Sequence, residues 1–214
     1  MAINLQKGQT IDLRKDTNDL DQITIGLGWK IREKKPSGLL GSLFGKKDEA
    51  EFDLDAIAFL LDEKGKLTSL GNDRLQGGDV VFFNSLKHPT GLVYHSGDNR
   101  IGGSGTNDDE QIVVKLNSIP ATYHRILFLV CIYKGIEQKQ HFGQVDSAYI
   151  RAIDGKGQEM ARYSLSSDSA YEGRCTMVFG EVYRRNDGWK FRAIGDAHPF
   201  DSFVPLLKAS HLPD

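Results

Sequence analysis

Residues 23–29, Ile-Thr-Ile-Gly-Leu-Gly-Trp, alternate between apolar and polar or small side chains, and residues 52–61 are apolar except for two acids. Alternation with period two is the signature of a strand with one buried face, and a short apolar run bounded by turn residues reads as a strand buried on both. Similar segments occur at residues 80–83, 92–95, 111–116, 126–133, 145–153, 159–165, 176–183 and 189–194. Turn chemistry separates several of them: Glu63-Lys64-Gly65, Asp154-Gly155-Lys156-Gly157 and Asn186-Asp187-Gly188. Helical periodicity is nearly absent, with short helices expected only near residues 120–123 and 200–209. The pattern predicts an all-β fold, a two-sheet β-sandwich with long loops and one or two short helices.

No linker interrupts the strands after residue 50, so residues 1–214 are expected to form one domain. Residues 33–50 break the texture as a long inserted surface loop rich in Gly, Ser and Lys. Its apolar knuckle, Leu39, Leu40, Leu43 and Phe44, lies between Lys34, Lys35, Lys46 and Lys47. Such a tip can touch a membrane surface weakly, enter a partner groove, or fold back onto the sandwich.

Composition narrows the function classes. With 39 % hydrophobic residues, 26 % charged residues and a net charge of −2, the chain has no global field for nucleic acid or anionic lipid. No apolar run approaches the roughly 20 residues of a membrane span, and the N-terminus lacks a signal-peptide core. Cys131 falls inside an expected strand and Cys175 at the start of one, which points to reduced packing residues and a cytoplasmic location.

The candidate chemistry is acidic. Residues 97–110 place Asp98, Asp108, Asp109 and Glu110 around a glycine-rich turn with Arg100 as the only base. Glycines let backbone carbonyls turn inward, and Ca²⁺ takes six to eight oxygen ligands from carboxylates, amides and carbonyls. Asp53 and Asp55, two apart in an expected strand, share a face. Two carboxylates about 4 Å apart repel by roughly 4 kcal/mol at an effective dielectric of 20, a repulsion that a divalent cation removes. The EF-hand template fails, because Arg100 and Gly102 stand where oxygen side chains are required. One copy of a Gly-Gly-x-Gly-x-Asn turn cannot make a calcium-binding β-helix. Nucleotide-loop, zinc and serine-hydrolase spacings are absent.

Several blocks together resemble the tellurium-resistance (TerD) stress-protein family: Gly26-Leu27-Gly28-Trp29, Phe52-Asp53-Leu54-Asp55-Ala56, Phe82-Phe83-Asn84, Gly97-Asp98-Asn99 with Asp108-Asp109-Glu110, Phe142-Gly143-Gln144-Val145, Met177-Val178-Phe179-Gly180-Glu181 and Trp189-Lys190-Phe191-Arg192-Ala193. The resemblance implies a cytoplasmic β-sandwich, or one peripheral at the inner membrane, that binds two Ca²⁺ ions and has no established enzymatic activity. Its implied metal residues are Asp53, Asp55, Asn84, Asp98, Asn99, Asp108, Asp109 and Glu110, with backbone carbonyls near Gly103 and Gly105. Implied partners are other tellurium-resistance proteins or a membrane-associated complex, without nucleic acid. The chain departs from the family at Lys30, where an acid is usual, in the long 33–50 connection, and in the tail after Gly195. The expected function is a calcium-stabilised scaffold or interaction module of stress response. Calcium-dependent attachment to a membrane or complex is the alternative, followed by a metal-assisted hydrolase or a thiol-based tellurite reductant.

Overall fold

The computed structural model describes residues 2–14, 18–31, 52–96, 108–166, 169–186 and 188–213. The 33–50 connection therefore lies outside the described residues. The strands are β1 (Ile3–Leu5), β2 (Thr10–Asp12), β3 (Ile23–Ile31), β4 (Leu54–Leu61), β5 (Val80–Val81), β6 (Val93–His95), β7 (Glu110–Val114), β8 (Arg125–Ile132), β9 (Val145–Ile153), β10 (Glu159–Ser166), β11 (Thr176–Arg185) and β12 (Gly188–His198). They form two six-stranded sheets, ordered β1-β10-β9-β3-β7-β6 and β2-β12-β11-β8-β4-β5.

Alternation assigns the faces. In the first sheet Ile23, Ile25 and Leu27 of β3 and Ile112 and Val114 of β7 point inward. They meet Leu54, Ala56, Ala58 and Leu60 of β4 and Ile126, Phe128 and Val130 of β8. Every one of these side chains is nearly or fully shielded from solvent, which makes the shared interior the main driving force for closing the sandwich.

The second sheet is also buried on its outer face. Ile57, Phe59 and Leu61 of β4 with Leu127 and Leu129 of β8 pack against Leu67, Phe203 and Leu207. Phe203 meets Phe59 edge-on at 5.8 Å and Phe82 at 5.3 Å. Leu67 N donates to His211 O at 2.9 Å. This accounts for the near-continuous apolar run of β4, and it gives the tail after Gly195 a role: its short helical segments Val204–Leu206 and Leu207–His211 cover that face.

Each expected strand segment contains a strand. β1 and β2 were not expected. They are three residues each and attach at sheet edges, β1 parallel to β10 and β2 antiparallel to β12. Residues 120–123 form a turn closed by Tyr123 N and Pro120 O at 3.0 Å. The short helix there lies just upstream at Leu116–Ser118. Among the described residues no helix is long and apolar enough to cross a membrane.

Candidate metal centre

The acid-rich turn joins two paired strands. Ser96 N donates to Gln111 O at 2.9 Å just beyond the β6–β7 pairing, so the turn leaves and returns at one end of the first sheet. Asp98, Asn99, Gly103 and Gly105 lie outside the described residues. The three acids on the returning side fall into three different surroundings.

Asp108 lies over the outer face of the first sheet. Its Oδ1 accepts from Arg151 Nε at 2.7 Å and Tyr149 OH at 2.9 Å, and its Oδ2 from Arg151 Nη2 at 2.9 Å and Gln111 Nε2 at 3.0 Å. The bidentate guanidinium fork satisfies the carboxylate in charge and geometry, and Asp108 in return holds Arg151 above the usual arginine range. The network continues: Arg151 Nη1 reaches Glu159 at 3.1 Å, Glu159 accepts from Arg162 at 2.8 Å, and Arg162 stacks over the Tyr149 ring at 4.1 Å.

Gly26 and Gly28 make room for it. A Cβ on Gly26 would stand 2.2 Å from Asp108 Oδ2, and one on Gly28 would stand 2.5 Å from the Tyr149 ring. The Gly-Leu-Gly motif therefore keeps the sheet bare where a carboxylate and a phenol lie flat on it. Gly26→Ala is expected to lower stability by about 1–3 kcal/mol through overpacking, read as a lower urea midpoint at unchanged slope.

Asp109 has a different environment. Its N donates to Leu27 O at 2.8 Å and its Oδ2 accepts from Trp29 N at 2.8 Å. Burial raises its carboxyl pKa and the neighbouring Asp108 charge adds to the rise, against the single amide from Trp29. No basic side chain pairs with it among the described residues.

Glu110 points into the sandwich. Its Oε2 accepts from Ala56 N and faces His95 Nε2 at 3.4 Å. β5 pairs β4 only at Ala58 and Phe59, so the Glu110 carboxylate satisfies a β4 amide that no strand reaches. This contact brings the first residue of β7 to the backbone of β4, one residue from Asp55.

The Asp55 side chain looks elsewhere. Leu54 and Ala56 face the interior, and Asp55 lines a cavity on the outer face of the second sheet. Asp53 is exposed just before β4, and its carbonyl accepts from Tyr133 N at 2.8 Å. Asn84 is exposed in a turn, its carbonyl accepting from Gln76 Nε2 at 3.0 Å. Among the described residues no three His, Cys, Asp or Glu side chains gather to hold a metal ion. The donor chemistry nevertheless fits a hard cation at Asp109, a half-buried carboxylate with one amide donor. Asp108 is already engaged with Arg151, and Glu110 with Ala56 N and His95. Lys30 is exposed at the end of β3.

The cysteines offer little nucleophilic chemistry. Cys131 Sγ lies 3.1 Å from Thr176 Oγ1, and burial pushes its thiol up to about 12. Burial also raises Cys175. Thiolate, the reactive form, is scarce in both at neutral pH.

Sequence reasoning missed Arg151, Tyr149, Glu159 and Arg162, which lie far along the chain from Asp108. Two glycines inside an otherwise apolar strand were the available signal, since they mark a close approach. It also missed a second buried network. Asp79, 2 % exposed, accepts from Tyr123 OH at 2.7 Å and Thr68 N at 2.6 Å, and His88 Nε2 stands at 3.1 Å.

The fold and site together define a β-sandwich whose first sheet holds Asp108 over a glycine-bared strand. A family model described as the TerD domain matches residues 1–204. Tellurium resistance protein TerX of Serratia marcescens is 50 % identical over 213 residues, covering 97 % of this chain and 99 % of that protein. General stress protein 16U of Bacillus subtilis (strain 168) is 37 % identical over 199 residues, covering 92 % of each. A crystal structure of a homologue of telluride resistance protein (TerD) from Streptomyces coelicolor A3(2) shares the fold, with TM-score 0.61 and 18 % identity over 90 % of this chain and 99 % of that one. The chain belongs to the TerD family of tellurium-resistance and stress-response proteins.

Proposed function

We propose that this protein binds Ca²⁺ at the acid-rich turn between β6 and β7, and that the ion fixes that end of the sandwich as a surface for partner proteins in stress response. The observation that carries the reading is Asp109, a half-buried carboxylate whose pKa is raised by burial and by Asp108, with no basic partner among the described residues. Ca²⁺ would supply the missing charge. Asp109 would act with Asp98, Asn99 and carbonyls at Gly103 and Gly105, and two ions are expected from the family resemblance. Asp108 and Glu110 would hold the returning strand in place through Arg151 and the Ala56 amide.

Relatives named for tellurium resistance and general stress support a stress role, and the proposed output is a calcium-stabilised scaffold rather than turnover of a substrate. Free calcium at about 100 times the dissociation constant adds roughly 2.7 kcal/mol to the folded state. For a chain of this size that raises the melting temperature by roughly 5–11 °C, and EDTA should reverse the shift. A melting curve that ignores both additions rules the proposal out.

A further inference from the structure

A cavity of about 330 Å³ opens on the outer face of the second sheet, on the side of that sheet away from the sandwich interior. Its volume is at the low end of small-molecule sites, roughly 300–1,000 Å³, which suits a single ring system better than a peptide or a protein surface. Ile57 of β4 and Cys131 of β8 line it from the sheet, and both are buried. Phe82 packs edge-on against Phe83 and Phe203, each at 5.3 Å, which fixes three lining rings relative to one another. Leu75 lines the cavity at φ 58°, a conformation that leucine rarely adopts. The turn enforces it: Leu75 N donates to Asn72 O at 2.8 Å, and Asn72 Oδ1 accepts from Arg74 N and Gln76 N. Phe83 and Tyr133 are each 44 % exposed, and together they form apolar surface that a guest would cover.

The charged groups of the cavity give no reason for an ionic guest. Asp55 is already partnered, and Asp201 Oδ2 accepts from Ile136 N at 3.2 Å. Lys134 Nζ lies over the Tyr133 ring at 5.6 Å from its centre, where a ligand cation would otherwise sit. Asp73 and Arg74 are consecutive, opposite in sign and exposed, so each offsets the other in water. The Cys131 thiol is uncharged, because burial holds its pKa near about 12. An ion of either sign would give up its hydration beside groups that are engaged or mutually offset. A neutral molecule gives up far less.

We propose that this cavity binds a small neutral aromatic molecule, its ring held among Ile57, Leu75, Phe82 and Phe203 and covered by Phe83 and Tyr133. The site is separate from the calcium turn and independent of its occupancy.

The test uses three ligands of one shape, naphthylmethanol, naphthylmethylamine and naphthoate, titrated at neutral pH into the full chain by calorimetry, with NMR of the Phe83 and Tyr133 rings. The alcohol should bind at least about tenfold more tightly than either ion, equivalent to about 1.4 kcal/mol, and equally in EDTA and in calcium. Tyr133→Ala should weaken it roughly two- to tenfold, as expected for the loss of one aromatic partner. Val204→Phe adds a ring at a residue that lines the cavity. It removes the space while keeping the surface apolar, and should abolish binding. Tyr133→Ala, at an exposed position, carries the test if the filled variant fails to fold. Either ion binding as tightly as the alcohol, an alcohol affinity unmoved by Tyr133→Ala, a folded Val204→Phe variant that still binds, or no alcohol binding at millimolar concentration overturns the proposal. Shifts of the two rings that follow protein concentration alone and ignore the alcohol would make the opening a contact between copies of the chain, which overturns it as well.

Discussion

Asp108→Ala is expected to destabilise the fold by about 3 kcal/mol, toward the low end for breaking one side of a buried ion pair because the Arg151 side chain is 16 % exposed. At this chain length that lowers the melting temperature by roughly 6–12 °C. The loss has two parts. Arg151, Tyr149 OH and Gln111 Nε2 lose an acceptor inside a covered site, and unmade bonds in such places are more costly than the bonds were worth. The returning end of the 97–107 turn also loses its tether over Gly26. Calcium affinity should fall with it, although Asp108 itself is engaged with Arg151. A double-mutant cycle with Arg151→Ala separates pairing from simple loss of packing. Coupling of at least about 1 kcal/mol is expected for a contacting charged pair, and additive losses would remove Arg151 as the reason Asp108 matters.

Asp79→Ala should cost about as much or more, about 3–5 kcal/mol, because several donors converge on one buried carboxylate. Oδ2 accepts from Thr68 N at 2.6 Å, Thr68 Oγ1 at 2.7 Å and Ser69 N at 2.8 Å, while Oδ1 takes Tyr123 OH at 2.7 Å and faces His88 Nε2 at 3.1 Å. His88 Nδ1 in turn meets Thr90 Oγ1 at 2.8 Å. One side chain therefore ties the 68–69 loop, the residue 88–90 turn and the Tyr123 turn beside β5. Burial alone would push the carboxyl up. The bonds from His88, Tyr123, Thr68 and Ser69 outweigh it and bring the pKa from 3.8 to about 2. A carboxylate depressed in the folded state contributes stability above its unfolded pKa, and that contribution fades as pH falls from about 4 through about 2. The wild type should lose about 2 kcal/mol from this group across that window, and Asp79→Asn should lose little there. Parallel acid-unfolding curves for the two proteins would show that Asp79 is not the group responsible.

Much of the sandwich was legible because its strands carry their burial in their own sequence. β3 alternates, β4 is apolar on both faces from Ala56 onward because both are covered there, and the β9–β10 turn supplies Gly157 at φ 80°. The N-terminal strands were illegible for the opposite reason. Ile3–Leu5 and Thr10–Asp12 gain their strand character from the edges they join. At the candidate site, residue type was easier to read than direction. Asp108, Asp109 and Glu110 are consecutive acids. Side-chain direction and the sheet edge send one to a guanidinium, one to a backbone amide beside uncompensated burial, and one across to β4. Nothing local marks Arg151 as the partner of Asp108. Asp55 illustrates the same limit: it lies in the strand as expected, yet the residues around its side chain, Asp73 and Asp201, come from loops that no short-range pattern could bring together.

Calorimetric titration of calcium into EDTA-stripped protein, beside the Asp109→Asn variant, decides whether the β6–β7 turn is a metal site. Saturable binding with two ions per chain is expected for the wild type. The variant should lose one site or weaken at least about tenfold, and magnesium, which demands a tighter octahedral shell, should not substitute. A wild-type protein that releases no saturable heat with calcium, or an Asp109→Asn variant that titrates like the wild type, contradicts the proposed role of that carboxylate.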